Sequence, residues 1–447
     1  MLKEICMLLL VSMAFYFLAV NFIYALMMVF SWIKIKKFQG RTTQKNLDLP
    51  PVSYIIPAYN EASLIVETIQ TYLSLPEEKK EIIVIDDGSQ DQTIRLLQTM
   101  FQLRKSPDDE MLFHSITRPE LKILKAPHTG KAQALNLGVS YSSYDLICTM
   151  DADTVPDARG VEACLSSFHH NSKLIAAGGV IQVLSAQVLK DNLPLITRGK
   201  EWVNRFQRIE YLRTFVCERL GWSYLGSTLL ISGAFCMLRK EALQKIGGFS
   251  HRSITEDFDM IVRLRRAYPG RHNQFKILPV TTCYTQVPRT LSHLSRQRMR
   301  WQMGLVETLF QNSGLFFRPS HGIVGLVTIP YFWLVEAFSP LVVFMAYITL
   351  PLALMQGWIS PELTFSYLGL GLLFNLFITI FGIQLDMKYV SQHKNWSLRR
   401  GILDTLLIHF GYKQLNTWWR LNALIRSLSK NKSWGEKPRE EIIHQAL

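Results

Sequence analysis

In Glu81-Ile82-Ile83-Val84-Ile85-Asp86-Asp87-Gly88-Ser89, four consecutive β-branched residues run straight into two carboxylates and a turn. The apolar run reads as a short buried strand, and the acidic pair marks its end. Upstream, Val52-Ser53-Tyr54-Ile55-Ile56-Pro57 is a second such run, and a helical pattern from Glu61 to Leu73 lies between the two. Strand, helix and strand at that spacing form a βαβ unit, which implies an α/β domain with a parallel sheet. Downstream, a third strand from Tyr144 to Met150 ends at Asp151, and residues 172–184 and 227–238 are further strand-like runs. Two acidic signatures thus fall just past strand ends, where open α/β sheets bind ligands.

The chemistry-bearing residues follow from this frame. Asp86 and Asp87 run into Gly88-Ser89, with Asp91 beyond. A turn rich in Asp and Gly accounts for them as structure; as a site, a carboxylate here reads the uracil or ribose edge of a nucleotide. Gly130-Lys131 adds an ammonium suited to a diphosphate. Asp151-Ala152-Asp153 puts two carboxylates on one side of an extended segment. Such a pair suits Mg²⁺ or Mn²⁺ bridging phosphate oxygens. D-x-D alone is as readily a solvated turn, and its place after the strand favours the metal.

Thr255-Glu256-Asp257 has the form of a helix N-cap with acids in the first turn. A carboxylate so placed can also take a proton from an acceptor hydroxyl. Gln297 and Trp301, four apart on a helix, share a face beside a row of Arg296 and Arg300. They fit an amphipathic helix lying on a membrane, and equally a set of donors for a leaving diphosphate with an aromatic plane for a sugar.

The composition places this domain at a bilayer. Hydrophobic residues make up 48% of 447, and residues 6–33 contain no charged side chain. That run exceeds the roughly 20 apolar residues a span requires and lacks a cleavage site, so it reads as a signal anchor. Lys34, Lys36, Lys37, Arg41 and Lys45 follow it, which predicts a cytosolic start for everything after residue 34. Tyr331 to Met355, with Glu336 as its one charge, and Phe365 to Leu385 are two more candidate spans. Leu309 to Ile329 has an interfacial character. Lys388, His393, Lys394, Arg399 and Arg400 mark a cytosolic side after them, as does the basic tail Lys430 to Trp434. Residues 401–425 carry Asp404, His409, Lys413 and Arg420, costly in lipid, and read as an interfacial or re-entrant helix in preference to a span. The domains expected are an anchor at 1–34, a cytosolic domain at 50–305 and a membrane-associated region at 306–447. The six cysteines show no metal spacing and read as reduced packing residues. The net charge of +14 lies beside the apolar spans and between Arg289 and Arg300. With no basic motif interleaved with aromatics, it points to anionic lipid and diphosphate and away from nucleic acid.

Together these pieces resemble a membrane-bound family 2 glycosyltransferase of the processive β-glycan synthase type. The segments that carry the resemblance run in family order over residues 52–305: Pro57 to Glu61, Asp86 to Ser89, Gly130 to Asn136, Asp151 to Asp153, Ser232 to Phe235, Thr255 to Asp257 and Gln297 to Trp301. The resemblance implies a GT-A fold and inverting transfer from a UDP-sugar to the end of a β-linked glycan at the bacterial inner membrane, with export or accessory subunits as partners. It implies that Pro57, Tyr59 and Glu61 line the nucleoside pocket, Asp87 contacts the uridine with Lys131 nearby, and Asp151 and Asp153 hold the divalent ion. Asp257, beside Glu256, would be the general base, and Gln297, Arg300 and Trp301 would hold the acceptor end and leaving UDP. UDP-N-acetylglucosamine is the donor expected from the short architecture; single-sugar transfer to a lipid is the alternative.

Overall fold

A computed structural model describes residues 1–39, 48–184, 201–269, 274–391 and 396–428. Arg41, Lys45, His393, Lys394 and the 430–434 tail lie outside the described residues.

The βαβ unit forms as the alternation of strand and helix requires. Strand β1 (Val52–Ala58) pairs in parallel with β2 (Lys80–Asp87), setting Ala58 beside Asp86. The described residues form one ten-stranded sheet. The remaining strands are β3 (Leu103–Lys105), β4 (Leu112–Ser115), β5 (Leu121–Ala126), β6 (Leu146–Met150), β7 (Thr154–Pro156), β8 (Ala176–Val183), β9 (Phe235–Arg239) and β10 (Phe275–Thr285). Their order is β3-β4-β5-β2-β1-β6-β9-β8-β10-β7. The centre, β5-β2-β1-β6, is parallel. Beyond it β9 runs antiparallel to both β6 and β8, so the sheet is mixed. The central strands are buried along their length, as strands covered on both faces must be. Gly138, on the covering helix Lys131–Tyr141, makes this possible. A Cβ there would lie 2.5 Å from Ile55 Cγ2 and 2.6 Å from Ile85 Cδ1.

Several local expectations change. The helix after β1 spans only Ile65–Leu73, because Asn60 adopts a φ of 54° and residues 61–64 form a turn. Residues 227–234 are not strand. Asp151 to Asp153 is not extended: the Thr154 amide donates to Asp151 O at 3.1 Å, closing a turn that carries both carboxylates. Thr255 occupies the N-cap position of Glu256–Ala267, yet its hydroxyl caps nothing and is buried without a partner.

Two helices, Lys3–Gln39 and Pro361–Val390, are long and apolar enough to cross a membrane, and a third span is possible by composition if Val324–Ala337 and Ser339–Met355 count as one. That pair is bent by 43°, so the apolar stretch 331–355 is not one straight helix. The break falls at Phe338, just before Pro340, whose ring and missing N–H suit only the first turn of a new helix. Leu8, Phe15 and Phe22 on the first helix are 68–70% exposed, which leaves an apolar face for lipid. Its other end enters the α/β domain: Ile35 belongs to the main core, and Ser31 donates to Cys217 O at 3.2 Å. Residues 401–425 divide into two helices, Leu398–Leu407 and Tyr412–Leu428, separated near Gly411 with a φ of 90°. Neither half is long and apolar enough to cross a membrane by itself.

Candidate active site

A continuous cleft of about 2940 Å³ runs from the carboxyl ends of β1 and β2 to the helix Leu291–Gln311 and beyond. At its first end, the loops after the two strands are tied together. The Asn60 amide donates to Ser89 Oγ at 2.9 Å, and the Glu61 amide to Thr93 Oγ1 at 2.8 Å. Pro57, Tyr59 and Glu61 line this wall. The Tyr59 ring stacks on His128, with centroids 4.2 Å apart and planes 27° from parallel. Asp87 lies beneath them. It accepts from the Thr129 amide at 2.8 Å and the Gly130 amide at 3.0 Å, and His128 Nδ1 stands 3.0 Å from its Oδ2. Strand alternation puts Asp86 behind Asp87, buried and off the cleft wall, where burial raises its carboxyl above the usual range.

Lys131 joins signatures far apart in sequence. Placed at the first turn of its helix, its Nζ lies 2.7 Å from Asp151 Oδ1 and 2.7 Å from Glu256 Oε1. Burial alone would raise the Glu256 carboxyl, but the adjacent Lys131 ammonium brings it down to about 2. Asp257, next to it, is held by backbone: Oδ2 accepts from the Gly233 amide and Oδ1 from the Phe258 amide, each at 2.8 Å. Burial and the neighbouring Glu256 charge nevertheless push its carboxyl up, against Lys131 and these hydrogen bonds. Gly233 makes this a close approach. A Cβ would meet Asp257 Oδ2 and Lys131 Nζ, both at 3.3 Å.

Asp151 and Asp153 line the same stretch, with Thr154 Oγ1 3.3 Å from Asp153 Oδ1. No group of three or more His, Cys, Asp or Glu side chains suited to a metal exists among the described residues. The described residues offer the two carboxylates of Asp151 and Asp153 here, which fits a hard cation completed by phosphate oxygens and water.

The helix Leu291–Gln311 contributes Gln297, Arg300 and Trp301 to the same cleft as Asp257. Gln297 Oε1 is buried without a partner, and Trp301 is 36% exposed. The residue over the Trp301 ring is Arg298, with its guanidinium carbon 4.6 Å from the centroid. It also donates to Glu210 at 2.5 Å. Deeper still, Glu218 accepts from Tyr331 Oη at 3.2 Å and Trp222 Nε1 at 3.4 Å; burial and then Glu336 raise it to about 7. His128, Arg298, Glu210 and Glu218 escaped the reading of the sequence. His128, two residues before Gly130-Lys131, and Arg298, inside the Gln297 to Trp301 segment, carried local signals.

Residues 53–247 match the model of "Glycosyl transferase family 2". The chain is 30% identical over 266 residues to poly-beta-1,6-N-acetyl-D-glucosamine synthase of Staphylococcus aureus, covering 59% of this chain and 57% of that protein. The same-named protein of Staphylococcus epidermidis is 30% identical over 261 residues, 58% of this chain and 56% of that one. The match therefore spans little more than half the length of these relatives. Among solved structures, a mannosyltransferase from Pyrobaculum calidifontis in complex with GDP-Man and Mn²⁺ aligns over 90% of this chain and 99% of that one, with a TM-score of 0.56 and 18% identity. That likeness concerns the fold. The sheet, the matched segment and the relatives agree: the fold is GT-A-like, residues 53–247 match the family 2 glycosyltransferase model, and the chain is similar to poly-beta-1,6-N-acetyl-D-glucosamine synthases.

Proposed function

We propose that the protein is an inverting, membrane-integrated glycosyltransferase that moves N-acetylglucosamine from its UDP donor to the end of a growing β-linked glycan. One observation carries the reading: Asp257, a buried carboxylate of raised pKa, lines the same cleft as the ion-paired Lys131 and Asp151 and as Gln297, Arg300 and Trp301, which supports a base between donor and acceptor. The names of the relatives support N-acetylglucosamine as the sugar. The uridine would lie against Tyr59 and His128, with Pro57 and Glu61 along the wall. Asp87 would serve this pocket by fixing the 128–130 backbone as well as by contact.

Asp151 and Asp153 would hold a divalent cation with the donor diphosphate, a use the Mn²⁺ complex of the mannosyltransferase neighbour also supports. When bound, such an ion offsets the negative charge that builds on the leaving UDP. The side chains do the rest. Asp257 takes the proton from the acceptor hydroxyl as its oxygen attacks the anomeric carbon. A base kept above the usual carboxylate range is a better proton acceptor at neutral pH, provided it is ionised when the acceptor arrives. Arg300 adds positive charge on the leaving-group side. A single in-line displacement from an α-linked donor leaves a β-linkage. The domain would face the cytosol of a bacterial cell, with Lys34, Lys36 and Lys37 at the inner boundary.

The test is Asp257→Asn in the purified full-length protein. Calorimetric UDP binding should persist and sugar transfer should nearly vanish; retained turnover removes Asp257 as the base. Sizing the radiolabelled product of the wild-type protein then separates glycan extension from transfer of one sugar to a lipid.

A further inference from the structure

Outside the sugar-transfer region, three basic side chains converge where the domain meets the membrane helices. Asn375, on the apolar helix Pro361–Leu385, accepts through Oδ1 from Arg213 at 2.7 Å and from Lys413 at 3.4 Å. Lys413 Nζ lies 2.7 Å from His409 Nε2. His409 Nδ1 is 2.7 Å from Thr405 O, an arrangement that puts the ring proton on Nδ1 and leaves Nε2 to accept from Lys413. Among the described residues no carboxylate lies within 4.0 Å of Arg213 or Lys413. Glu210, whose charge reaches Lys413, is already held by Arg298, by Tyr412 at 2.9 Å and by Asn416 at 3.4 Å. The cluster thus carries positive charge without an ion-pair partner, and Arg213 and Lys413 both line the inner part of the cleft.

Its depth is set by exposure along the Pro361–Leu385 helix. Exposed apolar side chains run from Leu363 to Phe377; from Ile378 to Leu385 the helix is largely covered by the domain. Asn375 therefore stands at the border between the lipid-facing and domain-covered parts. The turn that carries His409 and the helices on either side of it expose Leu407, Phe410, Leu415 and Trp418. An amphipathic element with exposed Phe and Trp lies at the headgroup boundary, and basic pockets beside membrane helices at that level recognise anionic headgroups.

We propose that Arg213 and Lys413, the latter positioned by His409, form a subsite for the phosphate of an anionic membrane lipid. Arg213 supplies guanidinium donors beyond the one given to Asn375, and Lys413 its ammonium, so that charge-assisted hydrogen bonds replace the missing counter-ion. Burial and then the Arg213 charge hold Lys413 down to about 7, while Glu210 acts the other way and His409 accepts from it. A bound phosphate strengthens the hold of Lys413 on its proton.

The test uses the purified full-length protein in detergent, titrated with dioctanoyl phosphatidylglycerol, dioctanoyl phosphatidylcholine or inorganic phosphate, with thermal unfolding as the readout. A saturable rise in Tm is expected with phosphatidylglycerol and not with the other two. In Arg213→Gln/Lys413→Gln the apparent affinity should weaken at least about tenfold, while Lys413→Arg keeps it. UDP binding verifies that each variant is folded; should the double variant fail this check, Lys413→Gln alone carries the comparison. An undiminished response in the variants overturns the subsite. A response to phosphatidylcholine equal to that of phosphatidylglycerol, or one reproduced by inorganic phosphate, overturns the anionic lipid as its ligand.

Discussion

Gly304→Ala probes whether the helix proposed to hold the acceptor and the helix bearing the proposed base, Asp257, act as one unit. Gly304 lies on Leu291–Gln311 against Thr255, which precedes Glu256 and Asp257. A Cβ at 304 would sit 2.3 Å from Thr255 Oγ1, 2.4 Å from its Cγ2 and 2.8 Å from its Cβ. Carbon contacts settle near 3.5 Å or beyond, so the two helices must part by roughly 1 Å. Overpacking of this kind costs about 1–3 kcal/mol of stability. A displacement of roughly 1 Å between a base and its bound reactant lowers a rate about a hundredfold. Of the donor wall, Tyr59 and Asp87 lie on other elements and should be untouched, and Lys131 keeps its ion pair with Asp151. Initial rates of UDP release at saturating donor should therefore fall about a hundredfold, while the calorimetric affinity for UDP stays at the wild-type value. Gly314→Ala is the control, since a Cβ there meets nothing within 4 Å. Thr255→Ala in the Gly304→Ala background removes the two closest atoms and should restore part of the rate. Alone it should cost well below the ~1 kcal/mol of an N-cap loss, because the hydroxyl caps nothing. Wild-type turnover in Gly304→Ala, or an equal loss in Gly314→Ala, would refute the coupling of the two helices.

The pH profile follows from the charges around Asp257. Its carboxyl is raised by burial and by Glu256 and lowered by Lys131. As the base acts ionised, kcat should fall as pH drops through that raised pKa. Glu256→Gln should move the acid limb of the kcat profile to lower pH and Lys131→Met to higher pH; shifts of the same sign would exclude Asp257 as the titrating group. Asp153→Ala should abolish the part of UDP affinity that depends on Mn²⁺, and unchanged calorimetric binding with Mn²⁺ would contradict its role. Asp157 caps Ala158–His169 through the Arg159 and Gly160 amides, at 3.1 and 3.3 Å. Asp157→Ala should lower stability by about 1 kcal/mol in urea titration with no change in UDP affinity.

What the sequence disclosed divides along physical lines. The strands at β1, β2 and β6 were legible because runs such as Ile82 to Ile85 are buried on both faces, and burial of that kind leaves a continuous apolar run. The antiparallel pairing of β9 with β6 and β8 was not legible, since nothing in Phe235 to Arg239 specifies a partner's direction. Asp87, Lys131, Asp151 and Asp257 were named from their place after strands and at helix starts. Their mutual contacts were not: Lys131 meets Glu256 across a sequence separation of 125, and no local pattern encodes that distance. Arg298 was passed over in favour of Gln297 and Arg300, because helical spacing ranks faces without saying which faces the cleft. The break at Phe338 was masked in the same way by hydropathy, which averages across the Pro340 that interrupts the helix.

The charge balance around Lys131 joins these observations into one requirement. Asp151, Asp153, Glu256 and Asp257 line one stretch of the cleft with a single lysine among them, and two of the four carboxylates are already bonded to it. A nucleoside diphosphate adds further negative charge to the same stretch. Lys131 cannot neutralise the incoming diphosphate and keep both carboxylates in place, because its three donors are shared among them. A site of this composition repels its own donor unless positive charge arrives with the diphosphate, and Asp151 with Asp153 is where hard oxygen ligands are offered to receive it. Arg300, across the cleft, contributes to lowering Glu256 and so reaches the same field from the acceptor side. Donor affinity should accordingly be steep in divalent cation and weak in its absence. In Glu256→Gln, which removes one competing carboxylate from Lys131, cation-free UDP affinity should rise above that of the wild-type protein, a reversal that a purely packing role for Glu256 does not give.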